Sequence, residues 1–124
     1  MARRTRHQTA RDYPRTARLN RLFQEILAEE LERIAEDGLE GVTITSVDCE
    51  ADLSRAIVYY DSAGGADEDE EVLEGLGALR GRLQSAIARQ ARVKRTPELV
   101  FRPDDVLRGA ARVEEVLREL DGDG

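Results

Sequence analysis

Apolar residues recur every three or four positions in the first third of the chain, which is the spacing of one face of an α-helix. The stripe comprises Leu19, Leu22, Phe23, Ile26, Leu27, Leu31 and Ile34. Thr16 has the side chain of a helix N-cap, and Gly38 suits the position after the last turn. The pattern predicts a helix between these two residues, preceded by a polar segment that ends near Pro14.

The period then shortens to two, as in a half-buried β-strand. Strict alternation in VTITSVDCE would place Val42, Ile44 and Ser46 on one face, and Thr43, Thr45, Val47 and Cys49 on the other. LSRAIVYYD predicts a second strand after a turn at Ala51 and Asp52, and so short a connection favours an antiparallel hairpin. Tyr59 and Tyr60 then lie on opposite faces, so one at most can stack on a base and the other belongs to the core.

Residues 62–71, SAGGADEDEE, predict a flexible acidic loop that runs into the first turn of a helix, where carboxylates complement the positive helix end. A helical stripe follows at Val72, Leu73, Leu76 and Leu79. Three glycines, each of which weakens a helix by about 1 kcal/mol relative to alanine, predict a break near residues 77–81. The helical pattern restarts with the stripe Leu83, Ala86, Ile87 and Gln90, so it predicts two short helices or one kinked helix.

The last part of the chain predicts a short strand and a helix. Thr96 precedes Pro97, which favours extended backbone, and ELVF follows as a strand that Pro103 ends. Asp104 or Asp105 can cap the final helix, whose apolar face comprises Val106, Ala110, Val113, Leu117 and Leu120. We expect an α+β fold with a three-stranded sheet and helices on one face. It would span residues 16–120, between a disordered basic arm (1–15) and a disordered tail (121–124).

The composition excludes several classes of protein. The 124 residues suit one domain, and the single cysteine rules out an intrachain disulfide. No apolar run approaches the roughly 18 to 20 residues of a membrane span, and the basic start lacks the apolar stretch of a secretory signal. We expect a soluble cytoplasmic protein.

The net charge of −7 conceals a segregation along the chain. Residues 1–21 balance at +6, residues 22–74 at −15, residues 75–102 at +6 and residues 103–124 at −4. An acidic body with two basic segments can meet a polyanion with one face and repel it with another. The open alternative is that the acidity only raises solubility.

The second basic segment is the candidate RNA site, because no acidic residue occurs between Glu74 and Glu98. Its candidate contacts are Arg80, Gly81, Arg82, Arg89, Arg92, Lys94 and Arg95. Such cations neutralise phosphates, which gives affinity rather than sequence choice. The arm could add Arg3, Arg4, Arg6, Arg11 and Arg15. Each group has a structural alternative. Gly81 with its two flanking arginines could be only a helix boundary, and the cations at residues 89–95 could only complement the dipole of the helix that they end. The arm could be a nonspecific tail.

No group of residues predicts catalysis. His7 and Cys49 each lack the partner that a nucleophile and its base require. The acidic run 67–71 could hold Mg²⁺ but is typical of a solvated loop. Glu98, Asp104 and Asp105 could form a carboxylate site, but Glu98 alternates with apolar strand residues and Asp105 fits a helix cap. We expect no enzyme activity, no metal and no cofactor.

The element order, with a glycine break between the second and third helices, is that of the type II KH fold, in which backbone amides approach the phosphates of a single strand. Three stretches of the sequence resemble those of the ribosome-binding factor A proteins: VTITSV, ADLSRAIVYY and ARVKRTPELVF. The resemblance covers about residues 15–120. In that family an Ala-x-Gly kink replaces the KH glycine loop. Here the kink falls at Leu79-Arg80-Gly81, with the alanine displaced to Ala78 or replaced by leucine.

The resemblance implies a bacterial, non-enzymatic assembly factor. It would bind the small (30S) ribosomal subunit and its 16S rRNA near the decoding region, aid processing of the precursor's 5′ end, and leave before translation begins. We expect a monomer when free, with no membrane or small-molecule partner. The alternative is an acidic α+β protein–protein adaptor that binds no RNA, which charge reversal at Arg89 and Arg92 would spare.

Overall fold

The structure, a computed structural model, describes residues 13–34 and 39–123, with side chains for residues 16–34 and 39–121. In these ranges it consists of helices and one three-stranded sheet, so the predicted α+β class is confirmed. A single 3₁₀ turn, Gly65–Glu68, precedes the second helix. The elements are α1 (Tyr13–Arg33), β1 (Thr43–Cys49), β2 (Arg55–Asp61), α2 (Asp69–Ala78), α3 (Arg80–Gln90), β3 (Glu98–Pro103) and α4 (Asp105–Asp123).

The sheet has the strand order β1-β2-β3. β1 and β2 are antiparallel, which confirms the predicted hairpin, and β3 runs parallel to β2. α1, α2 and α3 cover one face, where Tyr60, Val58 and Leu99 are fully buried. Tyr59 lies on the other face and is half-buried, as the alternation predicted. Among the described helices, none combines the length and the hydropathy that a membrane-spanning helix needs.

α1 begins at Tyr13, earlier than the predicted cap at Thr16. Thr16 is buried inside the helix, so its assignment as the N-cap is wrong. Pro14 does not end the preceding segment but lies in the first turn, where its missing N–H would have no intrahelical acceptor. The predicted boundary at residue 15 therefore falls within α1, while residues 1–12 and Gly38 lie outside the described ranges.

β1 does not alternate strictly, because its register shifts between Ile44 and Ser46. Thr45 is the extra residue of this β-bulge, which places Ile44 and Val47 on the same, buried face. The two predicted faces of β1 are thus wrong. The bulge also frees the Thr45 carbonyl, which accepts a hydrogen bond from Nε2 of Gln24 at 3.1 Å.

The predicted acidic first turn of the second helix is confirmed, because α2 begins at Asp69. Asp69, Glu70 and Glu71 form its first turn, where their charges complement the helix dipole. β3 also includes Pro103, which was predicted to end the strand.

α4 departs furthest from the prediction. Asp104 caps it, because its Oδ1 accepts a hydrogen bond from the backbone N–H of Leu107 at 2.9 Å. The predicted apolar face, however, is not packed on the sheet: Val106, Val113 and Leu120 are 71%, 58% and 62% exposed. α4 therefore does not pack its apolar stripe against the sheet as the other helices do.

Candidate nucleic-acid interface

α1 and β1 run in opposite directions along the domain. Near the start of α1, Oδ1 of Asn20 accepts a hydrogen bond from the backbone N–H of Cys49, the last residue of β1, at 2.8 Å. One turn later Gln24 reaches Thr45, earlier in the strand. The first turns of α1 therefore lie at the end of the domain that carries the β1–β2 turn.

α3 brings a second set of cations to that same end. Its first turn lies beside the far half of α1, because Nε of Arg82 is 3.5 Å from Oε2 of Glu30. Because α3 then leads to Glu98, which contacts the β1–β2 turn, the two helices are antiparallel, and the last turn of α3 lies beside the first turns of α1. The loop from α3 to β3 follows, and the backbone N–H of Glu98 donates to the Ser54 carbonyl of the β1–β2 turn at 3.2 Å.

Cations from α1, the last turn of α3 and the loop to β3 therefore form one surface, which we call the basic end. It comprises Arg18, Arg21, Arg89, Arg92, Lys94 and Arg95, all of which are exposed. The first five form no salt bridge with any described residue. Solvated cations without acidic partners are available to phosphates.

The acids of the β1–β2 turn are largely occupied. Oε2 of Glu50 pairs with Nη2 of Arg55 at 2.8 Å, which lowers the pKa of Glu50. Hydrogen bonds from Ser54 hold the pKa of Asp52 below its usual value, and the charge of Arg95 adds to this effect. Arg95 of the basic end therefore has an acidic neighbour in Asp52.

The predicted break between α2 and α3 is confirmed and consists of one residue, Leu79, at φ −95° and ψ 1°. Its backbone N–H still bonds to the carbonyls of Gly75 and Leu76, at 3.3 and 3.1 Å, so the chain bends without an open loop. Gly81 lies after the bend and is exposed, with no atom within 4 Å of where a Cβ would stand. Its backbone is open to a ligand, although its conformation does not require glycine.

Arg80 has a structural partner that the sequence did not indicate. Its Nε donates to the Leu99 carbonyl at 3.0 Å, and its guanidinium lies 5.6 Å from the centroid of the Phe101 ring. One turn later, Oε1 of Gln84 accepts from the backbone N–H of Leu99 at 3.0 Å. These two side chains satisfy both backbone groups of Leu99 on the outer edge of β3, which would otherwise be open to strand pairing.

Arg82 lies beside Glu30, a carboxylate that is only 4% exposed and also binds Nη1 of Arg33 at 3.2 Å. The seven predicted residues thus fall into two groups. Arg80, Gly81 and Arg82 lie at the start of α3, and the other four lie at or beyond its far end, about 16 Å away at 1.5 Å per residue.

The opposite end of the domain is acidic and is organised around Arg108. Its Nη1 and Nη2 bind Asp69 at 2.9 and 3.1 Å, and its Nε binds Asp61 at 2.8 Å. The hydroxyl of Tyr60 donates to Asp69 at 2.8 Å, and burial together with this bond raises the pKa of Tyr60. Hydrogen bonds from Arg108 hold the pKa of Asp69 below its ordinary value.

Cys49 and Asp104, two side chains that could take part in catalysis, are both buried and have structural roles. Cys49 is buried, and burial raises the pKa of its thiol to about 12, which leaves it protonated. Asp104 is buried and accepts from the Thr45 hydroxyl at 2.6 Å while it caps α4. Within the described ranges, no three acidic, histidine or cysteine residues are grouped as metal ligands. His7 lies outside those ranges.

Arg18 and Arg21 were not among the predicted site residues. They lie one turn apart on the exposed side of α1, and only the antiparallel packing of α1 and α3 brings them to the basic end. Their spacing on the polar face of α1 was the available signal. Arg3, Arg4, Arg6, Arg11 and the side chain of Arg15 lie outside what the structure describes.

Comparisons with known proteins agree with the resemblance. A sequence model of the ribosome-binding factor A family matches residues 15–117. Ribosome-binding factor A of Rubrobacter xylanophilus is 40% identical over 114 residues, covering 89% of this chain and 93% of that one. The crystal structure of ribosome-binding factor A from Thermus thermophilus has a TM-score of 0.65 and 31% identity, covering 71% of this chain and 94% of that one.

A Thermus thermophilus ribosome-binding factor A homology model that was fitted into the cryo-EM map of a complex with the 30S subunit is similar too. It has a TM-score of 0.59 and 31% identity, over 70% of this chain and 92% of that one. The family match spans most of the chain, including β1, β2, α3 and β3. The chain belongs to the ribosome-binding factor A family.

Proposed function

We propose that this protein binds the small ribosomal subunit through its 16S rRNA and promotes late maturation of the subunit, including processing of the 5′ end of the 16S precursor. It acts in the cytoplasm, without catalysis. The family membership and the neighbour fitted into a 30S complex support the subunit as the target.

The basic end is the feature of the structure that most supports RNA binding. Arg18 and Arg21 of α1 and the cations at the end of α3 are far apart in the sequence but lie at one end of the domain, and the acidic residues around α2 and α4 lie at the other. Because phosphates are attracted to one end and repelled by the other, the charge distribution orients the protein on rRNA.

The bend at Leu79 is the second candidate contact. In a KH-like arrangement this bend corresponds to the glycine loop, and the open backbone around Gly81 could approach a phosphate there. Arg82 remains 55% exposed beside Glu30, so its outer nitrogens stay accessible. Arg80 binds Leu99 and contacts the ring of Phe101, so its role is to hold α3 against β3 and not to bind RNA.

The protein acts by shifting the populations of alternative rRNA conformations. A protein that binds one rRNA arrangement more tightly than its alternatives raises the population of that arrangement by its differential affinity. Aromatic residues make up 4% of the chain, so recognition rests on backbone and shape rather than on base stacking. The 5′ end would then be exposed to, or withheld from, a nuclease that this protein does not itself provide.

The direct test measures binding to a 16S rRNA fragment containing the decoding region across a salt series. Each lost phosphate contact reduces the slope of log K against log salt by roughly 0.7 to 0.9. The double variant Arg89→Glu/Arg92→Glu should bind about tenfold more weakly or worse, with a shallower slope. Arg112→Glu/Arg118→Glu makes the same charge change on exposed positions of α4 and should bind like the parent.

Equal weakening by both double variants would mean that net charge, not the basic end, governs binding. Undiminished binding of both would overturn the basic end as the RNA contact. The adaptor alternative predicts no RNA binding by the parent at all.

A further inference from the structure

The apolar stripe of α4 has no partner in the part of the chain that the structure describes. Every residue from 109 to 121 is exposed, although an amphipathic helix of a globular domain normally buries its apolar face. Exposed apolar surface of this extent on a polar background is typical of interaction sites. The stripe comprises Val106, Ala110, Val113, Leu117 and Leu120.

The spacing of the stripe is 4, 3, 4, 3, which is the a/d pattern of a coiled-coil seam. The seam runs from Val106 to Leu120 within the 19 residues of α4, so it extends over about 21 Å at 1.5 Å per residue. This length suits packing against one further helix.

The attachment of α4 directs the stripe away from the domain. Arg108 is bound to Asp61 and Asp69, so the side of α4 that carries it faces the body. Val106 is two residues away, which is about 200° around a helix. The seam therefore points outward, and α4 is held only near its first turn.

Charge narrows the choice of partner. Glu114 and Asp121 flank one side of the seam, and α4 as a whole carries six acidic and three basic residues. Residues 62–74, beside the start of α4, carry six acidic residues and no basic one. Nucleic acid and anionic membranes would be repelled here. A second copy would bring another −7 and the same acidic flank. Residues 1–12 are basic but have no heptad of apolar residues.

We propose that α4 docks a cationic amphipathic helix of another protein. The partner helix would present apolar side chains at heptad spacing to Val113 and Leu117, and lysine or arginine beside them to Glu114 and Asp121. Complementary charges at the flanks of a seam select the partner, and the apolar seam supplies the affinity. This inference does not rest on RNA binding, because it concerns the opposite end of the domain.

The test uses the full chain and two labelled synthetic peptides about three heptads long, measured by fluorescence anisotropy. Both peptides have leucine at the a and d positions; one has lysine at the flanking e and g positions and the other glutamate. Like charges at these positions disfavour pairing of each peptide with itself. We expect the lysine peptide to bind at least about tenfold more tightly than the glutamate peptide.

Three variants assign the binding to the seam. Glu114→Lys/Asp121→Lys should reverse the preference between the peptides, whereas Val113→Asp/Leu117→Asp should weaken the lysine peptide at least about tenfold. Ala111→Asp places a charge on the other side of the helix and should change binding less than about twofold. All of these positions are exposed, and each variant should keep the cooperative urea unfolding transition of the parent, which reports that the domain is folded.

Several results would overturn the proposal. Equal binding of both peptides would show that charge does not select the partner. A concentration-dependent dimer that Val113→Asp/Leu117→Asp abolishes would make a second copy the occupant. No binding of either peptide would show that the seam does not dock helices.

Discussion

Arg108 near the start of α4 and Asp69 at the start of α2 form two parallel hydrogen bonds, from Nη1 to Oδ2 at 2.9 Å and from Nη2 to Oδ1 at 3.1 Å. Paired bonds between charged groups are among the strongest in proteins. Both side chains are about four-fifths buried. Because the rest of α4 is exposed, this pair, with Asp61, attaches the helix to the domain.

The first prediction concerns that attachment. Arg108→Met should lower the free energy of unfolding by about 2 kcal/mol, since charged hydrogen bonds are lost and Asp69 is left without its cation. Asp69→Asn should act similarly, and the double variant should fall short of additivity by about 1 to 3 kcal/mol in urea unfolding. Arg112→Met, one turn along and exposed, should change stability by less than about 0.5 kcal/mol. Full additivity would mean that the pair contributes no coupling.

The second prediction concerns the stability of the domain at low pH. Hydrogen bonds from Arg108 lower the pKa of Asp69 in the folded state. Its contribution to stability is therefore fully present above the unfolded pKa of about 3.9 and is lost as pH falls through the lower folded pKa. The difference in unfolding free energy between the parent and Asp69→Asn should be constant from neutral pH to about pH 5 and should shrink below about pH 4. A difference that stays constant in acid would show that the Asp69 charge is not the source.

The third prediction concerns the outer edge of β3. Gln84→Ala should leave the Leu99 N–H without its acceptor and destabilise the domain by about 1 to 2 kcal/mol. Gln84→Glu keeps an acceptor oxygen and is the matched control. Amide exchange at Leu99, followed by NMR, should accelerate in the alanine variant only. Unchanged protection in that variant would mean that the edge is covered in another way.

The fourth prediction separates the bend from the basic end. Gly81→Ala should raise stability by about 0.5 to 1 kcal/mol, because an added Cβ meets no atom within 4 Å and alanine favours a helix. Gly75→Ala should gain less stability than Gly81→Ala, since its Cβ would stand 3.1 Å from Cδ2 of Leu39, which must shift to make room. We expect Gly81→Ala to bind 16S rRNA within about twofold of the parent. A stable variant with lost binding would instead make the bend the main RNA contact.

The helices, strands and bend were largely predictable, because periodicity, turn residues and helix breakers act locally. The errors arose where a local pattern permits two outcomes. Pro14 suits both the end of a polar segment and the first turn of a helix, and the structure has the second. Thr45 fits an alternating strand as well as a bulge, and the bulge follows from its contacts with Gln24 and Asp104, which are distant in the sequence.

The site was predictable only in part, since the chain order does not reveal how α1 and α3 pack. The sequence indicated a basic segment but not that Arg80 is bound to Leu99, or that Arg18 and Arg21 join Arg89 at one end. The stripe of α4 shows a related limit. A heptad pattern predicts that a seam will be covered, but it does not say whether the cover comes from the same chain.

The most direct test of the account is co-sedimentation with isolated small subunits, large subunits and assembled ribosomes across a salt series. We predict selective retention of the parent on small subunits at moderate salt, loss of retention for Arg89→Glu/Arg92→Glu, and retention of Arg112→Glu/Arg118→Glu. Equal retention on every particle that vanishes as salt rises would reduce the basic end to nonspecific polyanion binding. No retention of the parent on small subunits would contradict the proposed function.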